Sequence, residues 1–358
     1  MKPFVVFTTP GDAHVELRHD AGRIFHATPG TADGRPAHLL AIDGVPDGYG
    51  ARLMVTREGF VPVEHRGTLW LTRPGPRAEF AVDDIYLTPT ADSEPDRGEL
   101  PRVVVVGTHF MTEDGKPWTW KGCSDFMLYQ RFLAGEDIRP ILEQRRALGA
   151  NLLRVFGMLH FIERFYPQEQ GGYYESLPTF ARLLAEHRLY VEFVAFADQQ
   201  VIRVPEQAHF TDCCTQLRGQ SNVFIELCNE YPKNGIDPRH FSKPQGLLAS
   251  AGSALADQPP AVFWDFFGWH GRRDWPKVTS SAEDMWYVIQ RQQIPGVHDE
   301  PARRDRPAQY DRYLARQLGA SALVLGAGAT FHSPEGLRSE PFSALTSDEA
   351  WMFFEALS

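Results

Sequence analysis

Cysteine is scarce in this chain: four in 358 residues, with no CxxC pair. That leaves little for a disulfide framework, and the adjacent Cys213 and Cys214 cannot form a standard zinc clip. Buried free thiols are the expected state, and no metal is expected. Long Lys/Arg runs are missing too, and the formal net charge is −10, so no nucleic-acid partner is expected. Apolar runs never reach the roughly 18 residues of a membrane span, so no membrane partner is expected either. The opening Met-Lys-Pro-Phe-Val-Val-Phe is too short an apolar stretch for a signal peptide, which leaves the location open. The oligomeric state is open as well.

What is present is apolar and aromatic. Hydrophobic residues make up 43% and aromatics 12%, with Trp at 8, enough for a large core and for sugar-stacking faces. The length suits two domains. Residues 4–88 carry short alternating stretches such as Val15-Glu16-Leu17 and Leu69-Trp70-Leu71. Turn dipeptides separate them at Pro10-Gly11, Asp33-Gly34, Asp43-Gly44 and Asp47-Gly48. Period-two alternation without a helical stretch predicts a small antiparallel β-sandwich over 1–88. The Pro-, Asp-, Glu- and Gly-rich segment 89–101 reads as a linker.

Over 102–358 the rhythm changes. A hairpin turn at 113–116 leads into a strand ending near Gly122. Further strands are expected at 150–156, 189–197, 222–228, 246–251, 261–267, 294–298 and 321–327. Helices are expected at 138–148, 174–187, 205–217, 280–292, 308–318 and 348–357. Strand and helix in alternation, to eight strands over roughly 250 residues, predict a (β/α)8 TIM barrel. A doubly wound open sheet would want a glycine-rich phosphate loop after its first strand, and none is there.

Such barrels place chemistry at the C-terminal ends of their strands. The polar residues expected there are Asp125, Arg154, Asp198, Asn229, Glu230, Trp269, His270, His298, Asp299, Glu300, Thr330 and His332, with Tyr231 beside Glu230. Glu230 and Glu300 end strands four and seven, nearly opposite across the ring. A separation of about 5–5.5 Å would let one protonate a leaving oxygen while the other attacks the anomeric carbon, with retention of configuration. One Glu must then have a raised pKa and the other must stay ionised, an asymmetry that Arg154 and His270 are placed to supply. Glu226, inside strand four, is expected to be structural or to support the site residues from behind, because an ionised side chain there needs a partner. Trp269 and Trp275 are candidates for stacking on sugar faces, whereas Trp264 reads as core. No cofactor is expected. A metal-dependent hydrolase would want His-x-His at strand one, where the chain has Cys123-Ser124-Asp125. A non-catalytic carbohydrate-binding barrel is the alternative outside enzymes.

Asn229-Glu230 ending strand four and a single Glu ending strand seven resemble glycoside hydrolase clan A, the cellulase-like TIM-barrel glycosidases. The stretch Asp114-Gly115-Lys116-Pro117-Trp118 and the strand Asn151-Leu152-Leu153-Arg154-Val155-Phe156 are similar to that clan's first two strands. The resemblance covers 102–358 and implies a carbohydrate substrate, Glu230 as acid/base and Glu300 as nucleophile. It also implies Arg154 as the group orienting the nucleophile, Asn229 as a ligand of the sugar 2-hydroxyl and His270 as a residue lining the site. The chain departs from the clan in ending strand eight with Phe331-His332 instead of a Trp, and in reading His-Asp-Glu-Pro at strand seven. Gly59-Phe60-Val61-Pro62 and Asp84-Ile85-Tyr86-Leu87 resemble carboxypeptidase-regulatory, transthyretin-like sandwich modules.

Overall fold

The computed structural model describes residues 4–6, 8–9, 14–19, 24–32, 35–40, 49–56, 63–70, 77–79, 85–86, 100–160, 162–197, 205–255, 258–270, 278–299 and 328–357. The chain divides into two compact units, Met1–Arg97 and Gly98–Ser358.

In the first unit a five-stranded antiparallel sheet runs in the order Ile24–His26, His14–His19, Tyr49–Thr56, Val63–Trp70 and Arg77–Glu79. A second antiparallel sheet holds Phe4–Val6, Arg35–Leu40 and Thr28–Ala32. Ala32 stands opposite Arg35. One short pair, Thr8–Thr9 with Ile85–Tyr86, is parallel.

The second unit is the barrel. Counting barrel strands alone, β1 is Lys121–Ser124, β2 Leu152–Phe156, β3 Tyr190–Phe196, β4 Val223–Cys228, β5 Leu248–Ser250, β6 Phe267–His270, β7 Gly296–Asp299 and β8 Gly328–Phe331. They pair in parallel in the order β5-β4-β3-β2-β1-β8-β7-β6, and a bridge from Ser250 to Phe266 closes the ring. β2, β3 and β4 are buried along their whole length, as parallel strands covered on both faces must be. Between strands lie α1 (Leu128–Leu133), α2 (Arg139–Ala147), α3 (Tyr173–Glu186), α4 (Glu206–Leu217), the short α5 (Tyr231–Asn234) and α6 (Val278–Gln292). After β8 come α7 (Pro334–Arg338) and α8 (Ala344–Ala356). α8 starts where the Ser343 hydroxyl accepts the Thr346 N–H, and α2 ends at Gly149, whose φ of +105° suits glycine.

The floor of the barrel is aromatic. Phe110, Trp120, Tyr190, Phe224 and Phe266 pack with Leu152 and Val297 in one buried cluster. The hairpin Val103–Val106 and His109–Thr112 supplies part of that plug, so the reversal of the chain begins at Gly107 and not first at 113–116.

One strand expectation needs correction. The sixth strand is Phe267–His270, not 261–267. An apolar run was read as the strand itself, whereas the ladder with the neighbouring strand begins later. The eighth strand is described over Gly328–Phe331. Residues 308–318 and 321–327 lie outside the described residues. Among the described residues, no helix is long and apolar enough to cross a membrane.

Candidate active site

Side chains alternate along a strand, so membership of the aromatic floor tells which positions face inward. Phe224 is in the floor, and two residues on is Glu226. Leu152 leads likewise to Arg154, Tyr190 to Glu192, and Val297 to Asp299. A charged layer therefore lies directly above the apolar one. Arg154 is fully buried and donates to Glu226 Oε2 from Nε (3.0 Å) and Nη2 (2.8 Å). Its Nε is also 3.4 Å from Glu192 Oε2. With two carboxylates on one guanidinium, burial and the repulsion of Asp299 and Glu226 push the Glu192 carboxyl well above its ordinary value. Glu226 was expected to be structural. Glu192, an acid inside an apolar strand like Glu226, was missed although the same signal marks it.

Arg154 also reaches upward, donating from Nη2 to the Asn229 amide oxygen at 3.1 Å. That bond turns the Asn229 amide nitrogen away from the arginine. Next in sequence, Glu230 occupies the left-handed region at φ 42°, ψ 51° and serves as the residue before α5. A non-glycine residue there costs about 1–2 kcal/mol, and local bonds hold it in place. Its N–H donates to Ser253 Oγ (3.0 Å), and the Tyr231 N–H donates to the Ser253 carbonyl (3.1 Å). Gly252 makes that support possible, because a Cβ there would lie 2.0 Å from the Cys228 carbonyl oxygen. Neither Gly252 nor Ser253 was found from sequence; their role depends on β5 lying beside β4.

The Glu230 side chain is 18% exposed, and the His270 Nδ1 approaches its Oε1 at 3.3 Å. Lys233 donates to Oε2 at 3.2 Å. The carboxyl is pulled down to about 2, chiefly by the hydrogen bond from His270, with burial opposing and Lys233 assisting. Sequence reasoning asked for a raised pKa on one glutamate, and the Glu230 carboxyl is lowered instead. His270 looks both ways, with its Nε2 4.0 Å from Asp299 Oδ2. Asp299 lies over Gly268, where a Cβ would come within 2.2 Å of its carboxylate, and its Oδ1 accepts from the Thr330 hydroxyl at 3.4 Å.

The structure places five other expected ligands. Asp125 is wholly buried and accepts from Nε and Nη2 of Arg145 on α2, each at 2.9 Å, in an internal ion pair. Trp269 is turned outward by strand alternation and packs with Phe267, Met285 and Ile289 against α6. His298 falls between inward Val297 and Asp299, hence on the outer side. The Tyr231 hydroxyl accepts the N–H of Ala261 and anchors the loop after β5. His332 is buried with its ring 5.3 Å from that of Phe126. Asp198, Trp275 and Glu300 lie outside the described residues. The four cysteines are buried and unbridged.

No protein-family model matches the chain, and no curated protein does. Solved structures match in fold. A β-glucanase of Saccharophagus degradans in complex with cellotetraose is similar at a TM-score of 0.53 and 11% identity, over 73% of this chain and 95% of that one. A family 5 glycoside hydrolase of Bacteroides vulgatus gives a TM-score of 0.51 and 14% identity, over 69% of this chain and 66% of that one. A candidate glycoside hydrolase from the same organism gives 0.50 and 12%, over 95% of this chain and 72% of that one. At such identities the likeness establishes the fold: a (β/α)8 barrel of the kind found in glycoside hydrolases, the group its motifs resemble.

Proposed function

We propose that the protein is a retaining glycoside hydrolase acting on an oligo- or polysaccharide. The observation that carries this reading is Asn229-Glu230 at the C-terminal end of β4, strained, partly exposed and clamped by His270 above a buried charged layer. Strained backbone and a strongly perturbed carboxyl at one strand end are the marks of a site built for chemistry. The fold neighbours, one of them holding cellotetraose, support the substrate class and make β-linked glucans the first to screen.

In this reading Glu230 is acid and base, and Glu300, next in the chain after Asp299, is the nucleophile. Arg154 orients the Asn229 amide, whose nitrogen then meets the sugar 2-hydroxyl. Since His270 and Lys233 hold Glu230 ionised, the acid step needs a proton taken up when the sugar binds. Exclusion of water by the sugar and an ionised nucleophile opposite both raise its pKa. Residues 1–88 are an accessory β-sandwich joined by the linker 89–101.

The test is a panel of aryl glycosides and glucans with the product anomer read by NMR. Glu300→Gln should abolish turnover, since an amide cannot attack. Glu230→Gln should keep activity on substrates whose leaving group needs no protonation. Full activity in Glu300→Gln with none in Asp299→Asn would move the nucleophile to the inward-facing aspartate. An inverted product would replace direct attack by attack through water.

A further inference from the structure

The five-stranded sheet of the first unit carries a cluster that the barrel chemistry does not use. In its edge hairpin Glu16 stands opposite His26, and Leu17 opposite Phe25. Val15, Leu17 and Phe25 are buried, so alternation puts His14, Glu16 and His26 together on the other face. The His14 and His26 side chains are 57% and 63% exposed, and that of Glu16 is 13% exposed.

Glu16 Oε2 lies 3.9 Å from His14 Nε2 and 3.8 Å from His26 Nδ1. One ligand atom from each residue falls within 4.8 Å of the others, the sole such grouping of three His, Cys, Asp or Glu among the described residues. Bonds of about 2.0–2.1 Å from a tetrahedral zinc ion set ligand atoms about 3.3 Å apart. Small side-chain rotations at an exposed face close that gap, while the ladder already holds the three Cβ atoms in place. Two imidazoles and one carboxylate are a nitrogen-and-oxygen set suited to a borderline divalent cation, not to a hard one such as Mg2+.

We propose that His14, Glu16 and His26 form a divalent transition-metal site of the zinc class on the exposed face of this sheet. Two ligands come from His14–His19 and the third from the edge strand Ile24–His26, so a bound ion ties the edge strand to its neighbour. Three protein ligands leave a fourth position for water or another donor. The site stands independently of the reading of the barrel.

Calorimetric titration of the full chain with zinc chloride, after chelator treatment, tests it. One equivalent should bind saturably, and zinc should raise the thermal midpoint of the unit that holds it. His14→Gln and His26→Gln should each weaken binding by at least about 100-fold, more than the loss of an outer partner does. Both positions are exposed, so folding is preserved, and circular dichroism checks this. His240→Gln, at an exposed histidine of the barrel, should bind as the parent does. Absence of saturable binding, or equal affinity in parent and both variants, would overturn the site.

Discussion

Replacing His270 by alanine isolates the group that sets the charge of Glu230. In the intact protein the Glu230 carboxyl sits at about 2 against an ordinary 4.5, and the bond from His270 is the largest cause. Burial pulls the other way, and Lys233 acts from a side chain that is 68% exposed. With His270 removed, the largest lowering cause is gone and the carboxyl should rise from about 2 toward its ordinary 4.5. A change from about 2 to 4.5 corresponds to at most about 3 kcal/mol between the protonation states, less where water screens the pair. The sign for stability follows from linkage. The folded value lies below the unfolded one, so the contribution of Glu230 is fully present above about 4.5 and is lost as pH falls through about 2. The variant should lose that slope. Carboxyl 13C NMR of both proteins, with denaturant unfolding between those pH values, reads both quantities. A Glu230 midpoint that stays near 2 in His270→Ala would refute the reasoning, because the depression would then come from elsewhere.

The buried charged layer makes two contrasting predictions. Arg154→Ala should cost about 3–5 kcal/mol, leaving two buried acids without their cation, whereas Glu192→Gln should change stability little, because that carboxyl is held well above its ordinary value and an amide mimics its protonated form. Urea unfolding compares them. Asp125→Asn should destabilise by a similar few kcal/mol through Arg145, yet leave affinity for oligosaccharides unchanged in calorimetry. Gly252→Ala should cost about 3 kcal/mol or more, from overpacking against Cys228 and the left-handed backbone, and should also disturb the Glu230 resonance.

Much of the barrel was legible because its signals are local. The strands at β2, β3 and β4 are unbroken apolar runs, and the helices between them carry apolar stripes, so both appear within windows of about ten residues. Asn229-Glu230 and Arg154 stood out for the same reason: each is polar where an apolar run should continue or has just ended. In the first unit the strands at His14–His19 and Val63–Trp70 followed from alternation in the same way.

Direction was not legible. Period two assigns alternate residues to alternate faces, but a sequence does not say which face is the interior until the neighbouring strands are in register. Without the register, Trp269 on β6 and His298 on β7 were put at the site on paper, when both face outward and Asp299 faces in. Partners were not legible either. Asp125 belongs to Arg145, Glu192 shares Arg154 with Glu226, and Ser253 supports Glu230, because closing the ring brings together residues far apart in the chain. The chain by itself determined which elements form, since propensity and periodicity act over a few residues. The tertiary structure alone decided which acids are charged, since charge depends on burial and on neighbours that only the closed barrel supplies.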